Sequence, residues 1–361
     1  MSAPRVLLVE WLDAIGSDAA DARGRRSALR SAGAVVRVAT VVPGCGAGAV
    51  GAETPGAGAV VECDAGPEGL EFLRRFAREG RFDLILLAAA TPGGGRVAEA
   101  LEGAAPAHWW PTGMAHASDW RARWGFGPRP ALPAMAETRR GGSIDEAPAG
   151  LAWSSVESPS SGRPRLTLWD GDYLLGILTL AGGEGSRVLT AFASLASAWS
   201  GVDLVVLADP HPAFEREARA LGIATRVHFV GPAPREAEWA WWAHASGAIL
   251  AGGGTFSGGL VLRGLAAGCP LIVASPDGLW RPVSSWLTHH GCTPWSNGGE
   301  GDGLSGALLR VLEQGPTVAG AVARGRALAG AHAWSLLPGR LAATVPGLVV
   351  GPTGRRPASA A

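Results

Sequence analysis

The amino-acid sequence predicts an α/β protein of two doubly wound, Rossmann-like domains facing across a cleft. Three observations carry this expectation. Short continuous apolar segments recur in both halves of the chain and alternate with helical segments, as in parallel sheets covered on both faces. Between residues 127 and 164 the alternation stops in a stretch rich in Ser, Gly and Pro, including Pro128, Pro130, Pro133, Pro148, Pro159 and Pro164, which reads as an interdomain connection. At 361 residues the chain is long enough for two cores. The expected organisation is an N-terminal domain over 1–150, a linker over 151–164, a second domain over 165–350 and a disordered tail over 351–361.

Each element has a local reason. Arg5 to Val9 is a buried-strand run, and Ala19 to Ala32 a helix stopped by Gly33. Ala34 to Val42 and Ala59 to Cys63 are strands. Gly69 to Glu79 is a helix with Phe72, Leu73 and Phe76 on its apolar side. Phe82 to Ala88 is a strand, a helix follows near Gly95 to Glu102, and Ala107 to Trp110 is an apolar run. In the second half, Tyr173 to Leu180 is a strand and Arg187 to Trp199 a helix. Asp203 to Ala208 is a strand, Ala213 to Leu221 a helix closed by Gly222, and Arg226 to Val230 a strand. Glu236 to Ala245 is a Trp-rich helix, Ala248 to Ala251 a short strand, and Pro270 to Ala274 another. Leu304 to Gln314 and Ala319 to Ala333 close the domain as helices.

Composition excludes several function classes. Formal net charge is zero, so no nucleic-acid-binding surface is expected. All 31 basic residues are arginine, which reads as coding bias. The apolar run before Glu10 is too short for a signal peptide, and no uncharged apolar run reaches membrane-spanning length. Cys45, Cys63, Cys269 and Cys292 lack disulfide or metal-ligand spacing, so buried free thiols, no metal site and a cytoplasmic setting are expected.

The most informative stretch is GGGTFSGGLVLRGLAAGCPLIVA, residues 252 to 274. It joins a glycine-rich turn, an apolar helix, a Gly-Cys-Pro break and a buried strand. The N–H groups that open a helix lack intrahelical partners, and the helix dipole favours an anion there. The turn can therefore hold a phosphate through Thr255, Ser257, Gly258 and Gly259, or be a tight turn needing glycine for backbone reasons alone.

From Leu174 to about Pro346 the chain resembles the nucleotide-sugar-binding domain of the retaining glycosyltransferases of group 1, which have the two-Rossmann GT-B fold. GILTLAGGEGSRVLTAFASL (Gly176 to Leu195) corresponds to the family's donor loop and the helix after it. The next strand, helix and a strand ending at Phe229 to Gly231 follow in family order, and AWSLLPGRLAA (Ala333 to Ala343) resembles the closing segment that packs back towards the first domain. The resemblance implies transfer of a sugar from a nucleotide-sugar co-substrate, with no tightly bound cofactor, to a sugar, lipid or small-molecule acceptor. The family's two signature carboxylates correspond here to Thr255 and Arg263, and its donor-loop Arg and Lys to Ile177 and Glu184, with Arg187 three residues beyond Glu184.

The donor-binding candidates are thus Gly183, Glu184, Arg187, Thr255, Ser257, Gly258, Gly259 and Arg263. His108 and His116 are the catalytic candidates, as general bases on the first domain. Some have a plainer alternative: Arg263 as an arginine on the solvent side of a helix, and His108 and His116 as structural histidines. Trp109, Trp110, Trp120 and Trp124 are expected to fill core and interdomain space, the alternative being a sugar-stacking groove. Trp239, Trp241 and Trp242 cannot share one helix face, so at least one is expected at a surface. Three functions fit the sequence: a glycosyltransferase with atypical site residues, a catalytically silent relative serving as a binding or scaffold protein, and a GT-B-like sugar-phosphate enzyme such as an epimerase.

Overall fold

In the computed structural model, residues 3–11, 18–42, 60–89, 93–105, 107–111, 171–178, 184–208, 210–231, 235–251, 258–274, 281–293 and 303–339 are described. They fall into two compact units. The first holds residues 3–111 and 334–339, the second 171–333.

The first unit runs β1 (Arg5–Trp11), α1 (Asp18–Ser31), β2 (Val35–Val42), β3 (Val60–Asp64), α2 (Pro67–Glu79), β4 (Leu84–Ala89), α3 (Gly93–Leu101) and β5 (Ala107–Pro111). Its five strands are all parallel in the order β3-β2-β1-β4-β5. The chain starts at the centre, winds out through β2 and β3, then reverses to β4 and β5. Val6 to Val9 are all buried, which is why β1 reads as a continuous apolar run instead of an alternation. Leu7 and Val9 share one core with Ile85, Leu87, Leu73 of α2 and Val97 of α3. Phe72 and Phe76, expected on the apolar side of α2, stack at 6.2 Å and pack partly buried against this core.

The second unit repeats the plan. Its elements are β6 (Asp172–Leu178), α4 (Glu184–Ala198), β7 (Val202–Val206), α5 (Pro212–Ala220), β8 (Val227–Phe229), α6 (Arg235–His244) and β9 (Gly247–Ala251), then α7 (Gly258–Ala267), β10 (Leu271–Val273), α8 (Arg281–His289), α9 (Gly303–Leu312) and α10 (Pro316–Gly330). The parallel order is β10-β9-β6-β7-β8, with β6 central. Two cores flank this sheet. Tyr173, Leu175 and Ile177 of β6 face α6, α7 and α8, whereas Leu174 and Leu178 face α4, α5 and α9.

The glycine stops are as the sequence predicts: Gly33, Gly222 and Gly268 follow α1, α5 and α7 with φ of 80°, 73° and 76°. At Gly268 the next N–H, of Cys269, bonds Gly264 O at 3.0 Å, so the Gly-Cys-Pro break is a helix-closing turn. Helix α8 is absent from the sequence expectations. Pro282 hides it, yet proline is tolerated in a first helical turn, where its missing N–H is no loss, and Val283, Trp286 and Leu287 are buried behind it. The closing turn Trp334–Leu336 belongs to the first unit and packs on α1. The linker and the tail lie outside the described residues.

Of the Trp-rich helix α6, Trp241 and Trp242 are buried and Trp239 is partly so. The Tyr173 hydroxyl donates to the Trp241 carbonyl at 2.7 Å, with the two rings edge to face. The described cysteines, Cys63, Cys269 and Cys292, are buried; Cys45 lies outside. Among the described residues no helix is long and apolar enough to cross a membrane.

Candidate functional site

In a doubly wound sheet, ligands bind beyond the carboxyl ends of the two strands where the winding reverses. In the second unit these are β6 and β9, paired from Leu174↔Gly247 to Leu178↔Ala251. β6 leads through residues 179–183 into α4, and β9 through 252–257 into α7. Two helix N-termini thus open above adjacent strand ends, from opposite faces of the sheet.

The sequence candidates fall on this frame as follows. Glu184 is the first residue of α4, and Arg187, three residues on, is exposed. Arg187 lines an open depression of about 430 Å³ with Ser186, Thr190 and the first turn of α9. Gly258 and Gly259 open α7, and Gly259 is buried. Gly183, Thr255 and Ser257 lie outside the described residues, as does His116. His108 is on β5, in register with Leu86 of β4. Ile177 is buried within β6, facing the core under α6 and α7, so this donor-loop position supplies packing and no cation.

Arg263, a donor-binding candidate of the sequence, is 3% exposed. Its Nε lies 3.5 Å from Glu238 Oε1 on α6, and the same carboxylate oxygen accepts from Trp242 Nε1 at 3.3 Å. A buried guanidinium beside a carboxylate is an internally neutralised pair. It ties α6 to α7 where Gly264 also lets the helices close: a Cβ at 264 would sit 2.7 Å from the Trp242 ring and 2.7 Å from Leu271. No linear pattern points to Glu238, because it comes from another helix and 25 residues is no helical period.

The end of α4 remote from this site is fixed by Arg226. Its guanidinium donates to the carbonyls of Ala196 at 2.9 Å, Trp199 at 3.0 Å and Val202, lies 3.7 Å from Asp203, and covers the Phe192 ring at 5.8 Å. Carbonyls at a helix C-terminus lack intrahelical donors, so this arginine acts as their cap. On α5, Glu215 pairs with Arg219 at 3.3 Å, and Glu217 accepts from the Ser186 hydroxyl at 2.6 Å. No three His, Cys, Asp or Glu among the described residues converge to hold a metal.

No family model matches the sequence, and no curated protein does either. Solved structures match the chain over nearly its whole length. One is a putative UDP-N-acetylglucosamine 2-epimerase from Listeria monocytogenes, with TM-score 0.61, 11% identity, and 96% of each chain covered. Another is a sucrose-phosphate synthase from Thermosynechococcus elongatus, with TM-score 0.63 and 15% identity over 94% of this chain and 97% of that one. A third is the glycosyltransferase SnogD from Streptomyces nogalater, with TM-score 0.53 and 19% identity over 94% and 99%. At such identities the likeness establishes architecture. The chain has the two-Rossmann fold of GT-B proteins.

Proposed function

We propose that this protein is a glycosyltransferase that moves a sugar from a nucleotide-sugar donor, held by the second unit, to an acceptor held by the first. The observation that carries the reading is the pair of helix N-termini, α4 and α7, opening above the reversal point of the second sheet. A diphosphate there meets unpartnered N–H groups and two favourable dipoles. Gly183, Gly258 and Gly259 let the backbone approach it, and the Thr255 and Ser257 hydroxyls donate to its oxygens. Arg187 offsets the carboxylate of Glu184. Arg263 acts beneath the site, holding α6 to α7 through Glu238, as a positioning residue.

In the reaction an acceptor hydroxyl attacks the anomeric carbon, the carbon–oxygen bond to the diphosphate breaks, and the acceptor proton passes to a base, for which His108 and His116 are the candidates. The main electrostatic demand is the charge growing on the departing diphosphate, which the helix ends are placed to meet. Retention of configuration follows the resemblance to the retaining family. The burial of Cys269 and Cys292 as thiols supports a reducing, cytoplasmic setting.

A thermal-shift panel of UDP, ADP, GDP and their sugar conjugates tests the donor site. A nucleotide at one hundred times its Kd stabilises by about 2.7 kcal/mol, a rise of roughly 5–10 °C for a unit of this size. Thr255→Ala and Ser257→Ala should shrink that rise. No shift with any nucleotide refutes the reading and leaves the silent-relative alternative, which the loss of both signature carboxylates favours. The likeness to the Listeria epimerase favours a second reading, epimerisation. It predicts conversion of a nucleotide-sugar to its epimer with no acceptor present and no nucleotide released.

A further inference from the structure

The first unit has its own reversal point, between β1 and β4. The next-to-last residue of β1 is Glu10, fully buried directly after the apolar run Val6 to Val9, in register with Thr40 and Ala88. Two consecutive arginines of α1 converge on it. Arg25 Nε donates to Oε1 at 3.2 Å and Arg26 Nη2 to Oε2 at 2.8 Å. Arg25 is 5% exposed, and the Arg26 side chain 20%.

One carboxylate needs one arginine. Among the described side chains the second guanidinium meets no further carboxylate, so the cluster has a positive charge that an anion can complete. Donor capacity is also left over: Arg26 Nε is buried and has no hydrogen-bond partner. Helical side chains lean towards the helix N-terminus, which carries both arginines towards the carboxyl end of β1, where a doubly wound sheet receives ligands. A guanidinium fork matches a phosphate or carboxylate in shape as well as charge.

We infer that the Arg25–Glu10–Arg26 cluster receives an anionic group, and that the acceptor therefore carries a phosphate or a carboxylate. Calling that ligand the acceptor rests on the glycosyltransferase reading; the anion site does not. Glu10 holds the two forks at a fixed spacing, Arg25 is the buried support, and Arg26 is the residue that meets the ligand.

The test is a calorimetric titration of the full chain with glucose 6-phosphate, glucuronate and glucose, with saturating UDP present to occupy the second unit. The phosphate or the carboxylate sugar should bind and neutral glucose should not; which of the two binds assigns the group. Arg26→Gln should weaken that binding about tenfold or more, the scale of one charge-assisted hydrogen bond. Arg26→Lys keeps the charge and the fold but loses the fork, and should weaken it about threefold. In both variants UDP affinity should stay within twofold of the parent. No binding of either anionic sugar, or parental affinity in Arg26→Gln, overturns the inference; should Arg26→Gln not fold, parental affinity in Arg26→Lys does so. Failure of UDP to bind counts against the glycosyltransferase reading alone, since the sugar titration then proceeds without it.

Discussion

Arg263→Met separates a structural pair from a donor contact. Two unit charges 3.5 Å apart attract by about 5 kcal/mol at an effective dielectric constant near 20, before desolvation is subtracted. Removing one partner of a fully buried pair costs about 3–5 kcal/mol, mostly because the other charge stays buried and alone. The Glu238 side chain keeps 16% exposure and a bond from Trp242, so the expected cost is lower, about 2–4 kcal/mol. Read by scanning calorimetry, this is a fall in Tm of roughly 4–16 °C for a unit of this size. Arg263→Met combined with Glu238→Gln removes both charges and keeps the Trp242 acceptor, so it should recover at least half the loss. UDP affinity should change by less than threefold in either variant. A single-variant cost below about 1 kcal/mol, or a double variant as damaged as the sum of the two singles, refutes the pairing; a tenfold loss of UDP affinity in a folded Arg263→Met refutes the assignment of Arg263 to positioning.

Other perturbations follow from the same geometry. Gly264→Ala should cost about 1–3 kcal/mol by pushing α7 away from Trp242 and Leu271, measured as a lower Tm. Arg226→Met removes the guanidinium from over Phe192 and strips three carbonyls of their donor; urea unfolding should show a loss of about 2–4 kcal/mol, since each charge-assisted bond contributes about 1.5–3 kcal/mol and water recovers part. Burial pushes the Cys292 thiol from its usual value up to about 11, against the opposing pull of Arg324. It should therefore resist iodoacetamide at pH 8 in the native chain and react fully in urea. A thiol whose pKa is raised on folding stabilises below its unfolded value of 9.0 and loses that contribution as pH rises through the folded value. Stability should accordingly fall between pH 9 and pH 11, and a Cys292→Ala variant should show less of that fall.

The architecture was legible because both sheets are parallel and covered on both sides. Strands such as Val6–Val9 and Leu204–Val206 then appear as unbroken apolar runs, and the glycines at 33, 222 and 268 mark helix ends by a conformation other residues adopt only at a cost. Helix α8 was not legible, since Pro282 reads as a breaker until it is seen to lie in the first turn. The site was legible only in outline. Position 263 could be found by counting from the Gly-Cys-Pro break, but not its burial, because its partner Glu238 comes from another helix. Glu10 was visible as the charge that ends an apolar run; nothing in a linear pattern ties it to Arg25 and Arg26, fifteen and sixteen residues later.

The placement of Trp334–Leu336 on α1 bears on how the protein is made. This piece of the first unit follows the second unit in sequence and is synthesised after it. Every described strand and helix of the second unit leaves the ribosome before that piece does. Synthesis therefore delivers the second unit entire while the first still awaits its closing turn, reversing the usual order in which the earlier domain matures first. A fragment ending near residue 150 is then an unfinished first unit, and fusing residues 334–339 to it is the rational way to express it alone.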